Sequence, residues 1–224
     1  MAEATRPRAT ISVRELSIPE SARRNYDRSR TELLEKKDSE SALTHLRKAI
    51  DDYPDYYEAW YLLGVAFLMQ KESGEAEAAL RKSVAMSAER FAPPLLALAS
   101  LYSDACRYRD AEPLAVQAIK LDDSLWYAHY ELARARFRLG RAAEALPSAR
   151  VVARERPGYA RGRLLLALVQ AQLNRYEDAL THLDAYLRLA PNAPDRAHML
   201  RLHAELTRAA DAAHTASAAS SAPR

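Results

Sequence analysis

Cysteine occurs once, at Cys106, so no intramolecular disulfide can form and a thiolate metal cluster is excluded. Flanked by small residues in a helical stretch, that thiol is expected in the core. Glycine is nearly as scarce, with 5 residues in 224. Sheet-rich and nucleotide-binding folds draw on glycine at their turns, and here the supply is missing. No apolar run approaches the ~20 residues that span a bilayer. The opening stretch, Met1 to Thr10, carries charge but lacks the apolar core of a signal peptide, and the compartment stays open between cytoplasm and export. A strong excess of one charge is lacking as well. The net charge is +3 and the pI about 9.0, a milder balance than a chain built around nucleic acid carries.

Catalytic signatures are equally sparse. Histidine stands at His45, His129, His182, His198, His203 and His214, and none of these forms an i, i+4 pair around a glutamate. There is no Walker loop and no dinucleotide fingerprint. Glu75, Glu77, Glu112 and Glu144 lie near expected helix starts, where carboxylates complement the dipole. His129 is expected to pack rather than to react. The chain is therefore expected to be a non-enzyme, with no catalytic residue, no cofactor, no metal site and no small-molecule substrate.

What the chain does have is helix-forming apolar material. It is 49% hydrophobic and 28% charged, well above the apolar content of a disordered chain. Alanine and leucine recur throughout, which favours an all-α class. The positive charge is mostly arginine, with lysine only at Lys36, Lys37, Lys48, Lys71, Lys82 and Lys120.

A period organises that material. An alanine opens an Ala-x3-large-x2-small pattern at Ala42, Ala76, Ala111, Ala145 and Ala179, at intervals of 34, 35, 34 and 34 residues. Proline closes three of the copies, at Pro54, Pro157 and Pro191. The upstream half of each unit has its own signature: Trp60-x2-Leu63-Gly64-x2-Phe67, then Leu95-x2-Leu98-Ala99-x2-Tyr102, His129-x2-Leu132-Ala133 and Arg163-x2-Leu166-Ala167. The first copy, Tyr26-x2-Ser29-Arg30-x2-Leu33, is the most degenerate. Apolar residues recur at three and four, so each unit predicts two amphipathic helices. Gly64 and its alanine counterparts let the two helices approach, and the prolines stop the second one. One helix pair cannot bury its apolar face alone, so the units must stack.

These motifs resemble the tetratricopeptide repeat (TPR) family, with its W-x2-L-G-x2-Y, A-x3-F and P pattern. The resemblance implies a right-handed superhelix, an α-solenoid, of five helix-turn-helix units at 23–56, 57–90, 92–125, 126–159 and 160–193. Residues 1–22 are expected as an extended leader and the start of the first helix, with Ser17 and Glu20 forming a capping box. The stretch Val13–Ala22 resembles leaders before TPR arrays in some bacterial, often exported, proteins. A capping helix is expected over 194–209, with Met199, Leu200, Leu202 and Leu206 on one face, followed by a disordered tail over 210–224. Phe91 is one residue too many between units, so the Phe91–Pro94 junction should be the least regular. Pro113 and Pro147 predict late starts or bends in their helices.

In the resembled family, positions 2, 5, 9 and 12 of the first helix of each pair line a concave groove. Carried over, they place Tyr61, Val65 and Leu68, then Leu96, Ser100 and Ser103, then Tyr127, Tyr130, Arg134 and Phe137, then Arg161, Leu164, Leu168 and Ala171 along it. Arg24, Asp27, Thr31 and Leu34 are the first unit's share. The lysine and asparagine of TPR domains that clamp acidic chaperone tails are missing, since those positions hold Asp27, Tyr61, Leu96, Tyr130 and Leu164, and Thr31, Val65, Ser100, Arg134 and Leu168. The expected partner is a protein or peptide segment with apolar anchors and an acidic group meeting Arg134 or Arg161. Aromatic residues and arginine carry most binding energy at such interfaces. Two other readings remain: RNA bound on a stripe of Arg134, Arg138, Arg161 and Arg163, and self-association into a homo-oligomer through a terminal repeat.

Overall fold

The computed structural model describes residues 16–220, in which eleven α-helices and one π-helical turn are joined by short turns without a strand. The helices fall into two compact units that divide between Pro94 and Leu95.

The first unit contains α1 (Glu20–Thr31), a π-helical turn (Glu32–Lys36), α2 (Ser39–Asp52), α3 (Tyr57–Gln70) and α4 (Ser73–Met86). Asp38 caps α2 by accepting from the Ser41 N–H at 3.0 Å. Ser17 is not the N-cap of α1: Pro19 takes that position and makes no side-chain cap, and the Ser17 hydroxyl lies 3.4 Å from the Tyr53 hydroxyl. Leu16 and Ser17 are helical rather than extended, and residues 1–15 of the expected leader lie outside the described residues. The patterned alanines Ala42, Ala49 and Ala76 are fully buried beside Leu46 and Leu80. Gly64 shows why one site must be small: a Cβ there would stand 2.6 Å from Leu80 Cγ.

The second unit comprises α5 (Ala92–Asp104, its first turn before Leu95), α6 (Tyr108–Leu121), α7 (Trp126–Arg138), α8 (Ala142–Glu155), α9 (Ala160–Gln172), α10 (Tyr176–Leu189) and α11 (Arg196–Ser220). Pro113 and Pro147 delay nothing. Each sits in the sixth residue of a helix that starts at the same offset from its alanine as α2, α4 and α10. Both prolines are exposed, as are Arg109 and Ala143 four residues earlier, where water can serve the carbonyls left without a donor. The closing helix starts at Arg196 and reaches Ser220, so residues 210–220 continue a helix where a disordered tail was expected. Met199, Leu206 and Ala210 are buried on its inner face, which explains the extension. Leu200 is exposed and does not share that face.

The turns inside the helix pairs repeat one device. Lys37, Lys71, Cys106, Gly140 and Asn174 follow the first helix of each pair, and all five have φ between 58° and 78°. The left-handed residue turns the chain sharply enough for the second helix to return along the first. Cys106 is consequently exposed in a turn rather than packed in the core. Ala88 and Glu89 are also left-handed, at φ 49° and 59°. They absorb the extra residue, so the irregularity falls just before Phe91, while Pro93 and Pro94 sit in the first turn of α5, where no N–H is needed.

Candidate functional site

Seven of the expected groove residues converge in the second unit. Tyr127, Tyr130, Arg134 and Phe137 of α7 and Arg161 and Leu164 of α9 line one open cavity of about 720 Å³, which Leu168 extends. Positions three, four and seven apart on a helix share a face, so the register of α7 and α9 suffices to aim them together. Asp104 from α5 and Tyr186 and Asp195 from the far wall complete it.

The aromatic wall is built by packing. Tyr127 stacks on Tyr130 with ring centroids 5.4 Å apart, Tyr159 meets Tyr130 edge-on at 5.4 Å, and Trp126 meets Tyr159 at 5.1 Å. Burial raises the Tyr130 hydroxyl well above the usual phenol range and pushes Tyr127 up to about 12. Tyr130 nevertheless shows only 8% of its surface. It forms the wall and belongs to the core, while Tyr127, Phe137, Leu164 and Leu168 are half-buried and offer contact area.

The arginines divide in the same way. Arg134 is already engaged: Nη2 donates to Asp104 Oδ1 at 2.8 Å and to the Ser103 carbonyl at 3.3 Å. Arg138 and Arg161 are exposed on the cavity rim, and neither pairs with a carboxylate among the described residues. Asp195 accepts from the Tyr186 hydroxyl at 2.5 Å. Arg138 and Arg161 thus present guanidinium groups to the cavity without a carboxylate partner among the described residues, whereas Arg134 is engaged by Asp104.

Other expected groove residues lie apart from this cavity. Leu96 and Ser100 are half-buried on α5, with Ser100 beside Tyr127. Tyr61, Val65 and Leu68 belong to the first unit, where they are half-buried on α3 and Tyr61 meets Phe91 edge-on at 5.5 Å.

One residue at this site had not been singled out. Glu131 of α7 is fully buried, and neither of its carboxylate oxygens is in a well-formed hydrogen bond. Its nearest cation is Arg134, 3.5 Å away. The signal was present in the register, since the equivalent positions of α3 and α9 hold Leu62 and Leu165.

His129 is half-buried against Ser148 and the backbone of Asp123, and burial lowers its affinity for a proton. The same position in two other pairs carries a different donor to the same place: Trp60 Nε1 donates to the Pro54 carbonyl at 2.8 Å, and Arg163 Nε to the Pro157 carbonyl at 3.1 Å. No group of three metal-binding side chains occurs among the described residues, and no described helix is long and apolar enough to cross a membrane.

Residues 31–90 and 96–160 match one tetratricopeptide-repeat profile, and residues 136–206 match a second. No curated protein matches the chain. Among solved structures it is similar to PilF of Pseudomonas aeruginosa, at 21% identity over 89% of this chain and 88% of that one, with a TM-score of 0.70. It is also similar to YrrB, described as a TPR protein with an unusual peptide-binding site, at 21% identity over 81% and 90% with a TM-score of 0.64. MamA follows at 19% identity over 77% and 93%, with a TM-score of 0.65.

Proposed function

The chain belongs to the tetratricopeptide-repeat family, and from that premise we propose that it is a scaffold whose second unit holds a peptide segment of a partner protein. The segment inserts apolar anchors against Tyr127, Phe137, Leu164 and Leu168 and places a carboxylate between Arg138 and Arg161. One observation carries this reading: two exposed guanidinium groups without carboxylate partners stand on the rim of a cavity walled by aromatic and aliphatic side chains. Arginine forks match carboxylates in two parallel hydrogen bonds, and aromatic surface supplies most of the anchoring energy.

A displayed peptide library, selected on the purified chain, tests it. The expected winners combine an acidic residue or free C-terminus with apolar residues nearby, and Arg161→Ala with Arg138→Ala weakens them at least tenfold without changing the melt. Selected peptides indifferent to both arginines would remove the proposal. Asp104 and Asp195 face the same cavity and oppose a phosphate backbone, so weak retention on heparin is expected.

A further inference from the structure

Glu131 is hard to explain as packing. Leucine fills the equivalent sites of α3 and α9, yet α7 buries a carboxylate there completely, with neither oxygen in a well-formed hydrogen bond and the Ser100, Ser103 and Tyr127 hydroxyls beside it. An ionised carboxylate in such a place is strongly disfavoured unless a cation compensates it. Among the described residues one cation is close: Arg134, at 3.5 Å. Arg134 is shared, because its Nη2 donates to Asp104 at 2.8 Å and to the Ser103 carbonyl at 3.3 Å. Ser103 is itself buried, and its hydroxyl stands beside the Glu131 carboxylate.

We propose that Glu131 is a proton-gated positioning residue for Arg134 in the groove. Ionised, it acts with Asp104 to hold the guanidinium down between α5 and α7. Protonated, it gives up one of the two restraints and leaves the cavity one unit more positive. An anionic group entering beside Arg138 and Arg161 then binds more tightly at lower pH. This rests on the groove reading for its consequence, though not for the switch itself.

The neighbourhood suits a group that titrates above its ordinary range. Burial raises the Glu131 carboxyl most, Asp104 adds to the rise, and Arg134 with the Ser100 and Ser103 hydroxyls opposes it. The remaining titratable neighbours are Tyr127 and Tyr130 on α7 itself, both pushed far from neutrality, with Tyr159 against Tyr130 from the turn before α9. Helix α9 adds the exposed Arg161 to the same cavity. The α6 carboxylate Glu112 is engaged by Arg136 and Arg141.

The Arg134 side-chain Nε–H resonance of the free chain is the test. It should shift with a midpoint above the ordinary carboxylate range, and the shift should vanish in Glu131→Gln. In Asp104→Asn the midpoint should move down, because a repelling charge is gone and Arg134 turns wholly to Glu131. Glu131→Leu, which restores the residue type of Leu62 and Leu165, serves if the glutamine variant folds poorly. A flat resonance between pH 4 and 8, or an unchanged titration in both Glu131 variants, overturns the switch. Sulfate, whose charge is constant over this range, then probes the consequence. Its affinity should fall about threefold to tenfold as Glu131 ionises, the scale of one charge acting near a protein surface, and should stay at the low-pH value in Glu131→Gln. Titration without any sulfate or peptide binding would sink the groove reading and leave the switch standing.

Discussion

Trp60 Nε1 donates to the carbonyl oxygen of Pro54 at 2.8 Å, tying the first turns of α3 to the turn that follows α2. Lys82 lies over the same ring, 4.2 Å from its centroid. Trp60→Phe keeps an aromatic ring and removes the donor, so it is expected to lower unfolding free energy by about 1 kcal/mol. Urea unfolding of the two proteins measures this, and equal midpoints would show that the bond contributes nothing.

Gly64 and Leu80 form a second interlocking pair. A methyl at position 64 would stand 2.6 Å from Leu80 Cγ, closer than any relaxed contact. Gly64→Ala should destabilise by about 1–3 kcal/mol, the range for overpacked sites. In the double variant with Leu80→Ala, part of that loss should return. A double-mutant cycle with no coupling would place the strain elsewhere.

Replacing Glu131 should stabilise the chain near neutrality. Its carboxyl is raised above the ordinary value of 4.5, so the folded state binds the proton more tightly than the unfolded state does. Its contribution is fully favourable below the unfolded pKa and is lost as pH rises through the folded one. The melting temperature of the parent should therefore fall, relative to Glu131→Leu, as pH climbs from 4 to 8. Parallel curves would contradict this.

Glu112 should behave in the opposite sense. Burial opposes its ionisation, but hydrogen bonds from Arg136 and Arg141 outweigh it and hold the carboxyl below the usual range. Its contribution is present above the unfolded pKa and is lost as pH falls through the folded one. Glu112→Gln should destabilise at pH 7 by about 1–3 kcal/mol, with the difference from the parent shrinking on acidification below about 4. Thermal melts at pH 7 and pH 3 decide it.

Tyr130→Ala and Arg161→Ala should separate core from surface. The first removes a ring packed against Tyr127 and Tyr159 and should destabilise by about 3–5 kcal/mol. The second removes an exposed side chain and should leave the melt within about 0.5 kcal/mol of the parent. Similar melts for both variants would place Tyr130 on the surface after all.

The period was legible because it repeats a local pattern five times, and each alanine of that pattern proved to be buried. Long-range pairing was not legible. Arg134 looked available because its partner, Asp104, lies 30 residues earlier. Tyr130 has the groove position, but two neighbouring rings, Tyr127 and Tyr159, pack on it, and position rules do not register side-chain volume. Ser17 is not the N-cap because α1 begins two residues later than the box requires, with Pro19, whose ring offers no acceptor, at the cap position. Glu131 could have been found by noting a carboxylate where the second and fifth units place Leu62 and Leu165. The left-handed turns could not, since four of the five are not glycine.

The turn that lifts Cys106 to the surface also gives the chain a built-in label site. It carries the only sulfhydryl in the sequence, so one maleimide dye would attach at one known place, without engineering. That place is two residues beyond Asp104, which lines the cavity and anchors Arg134. A fluorophore there would report occupancy of the groove by its own change in brightness or anisotropy, and the protein could be titrated as its own sensor.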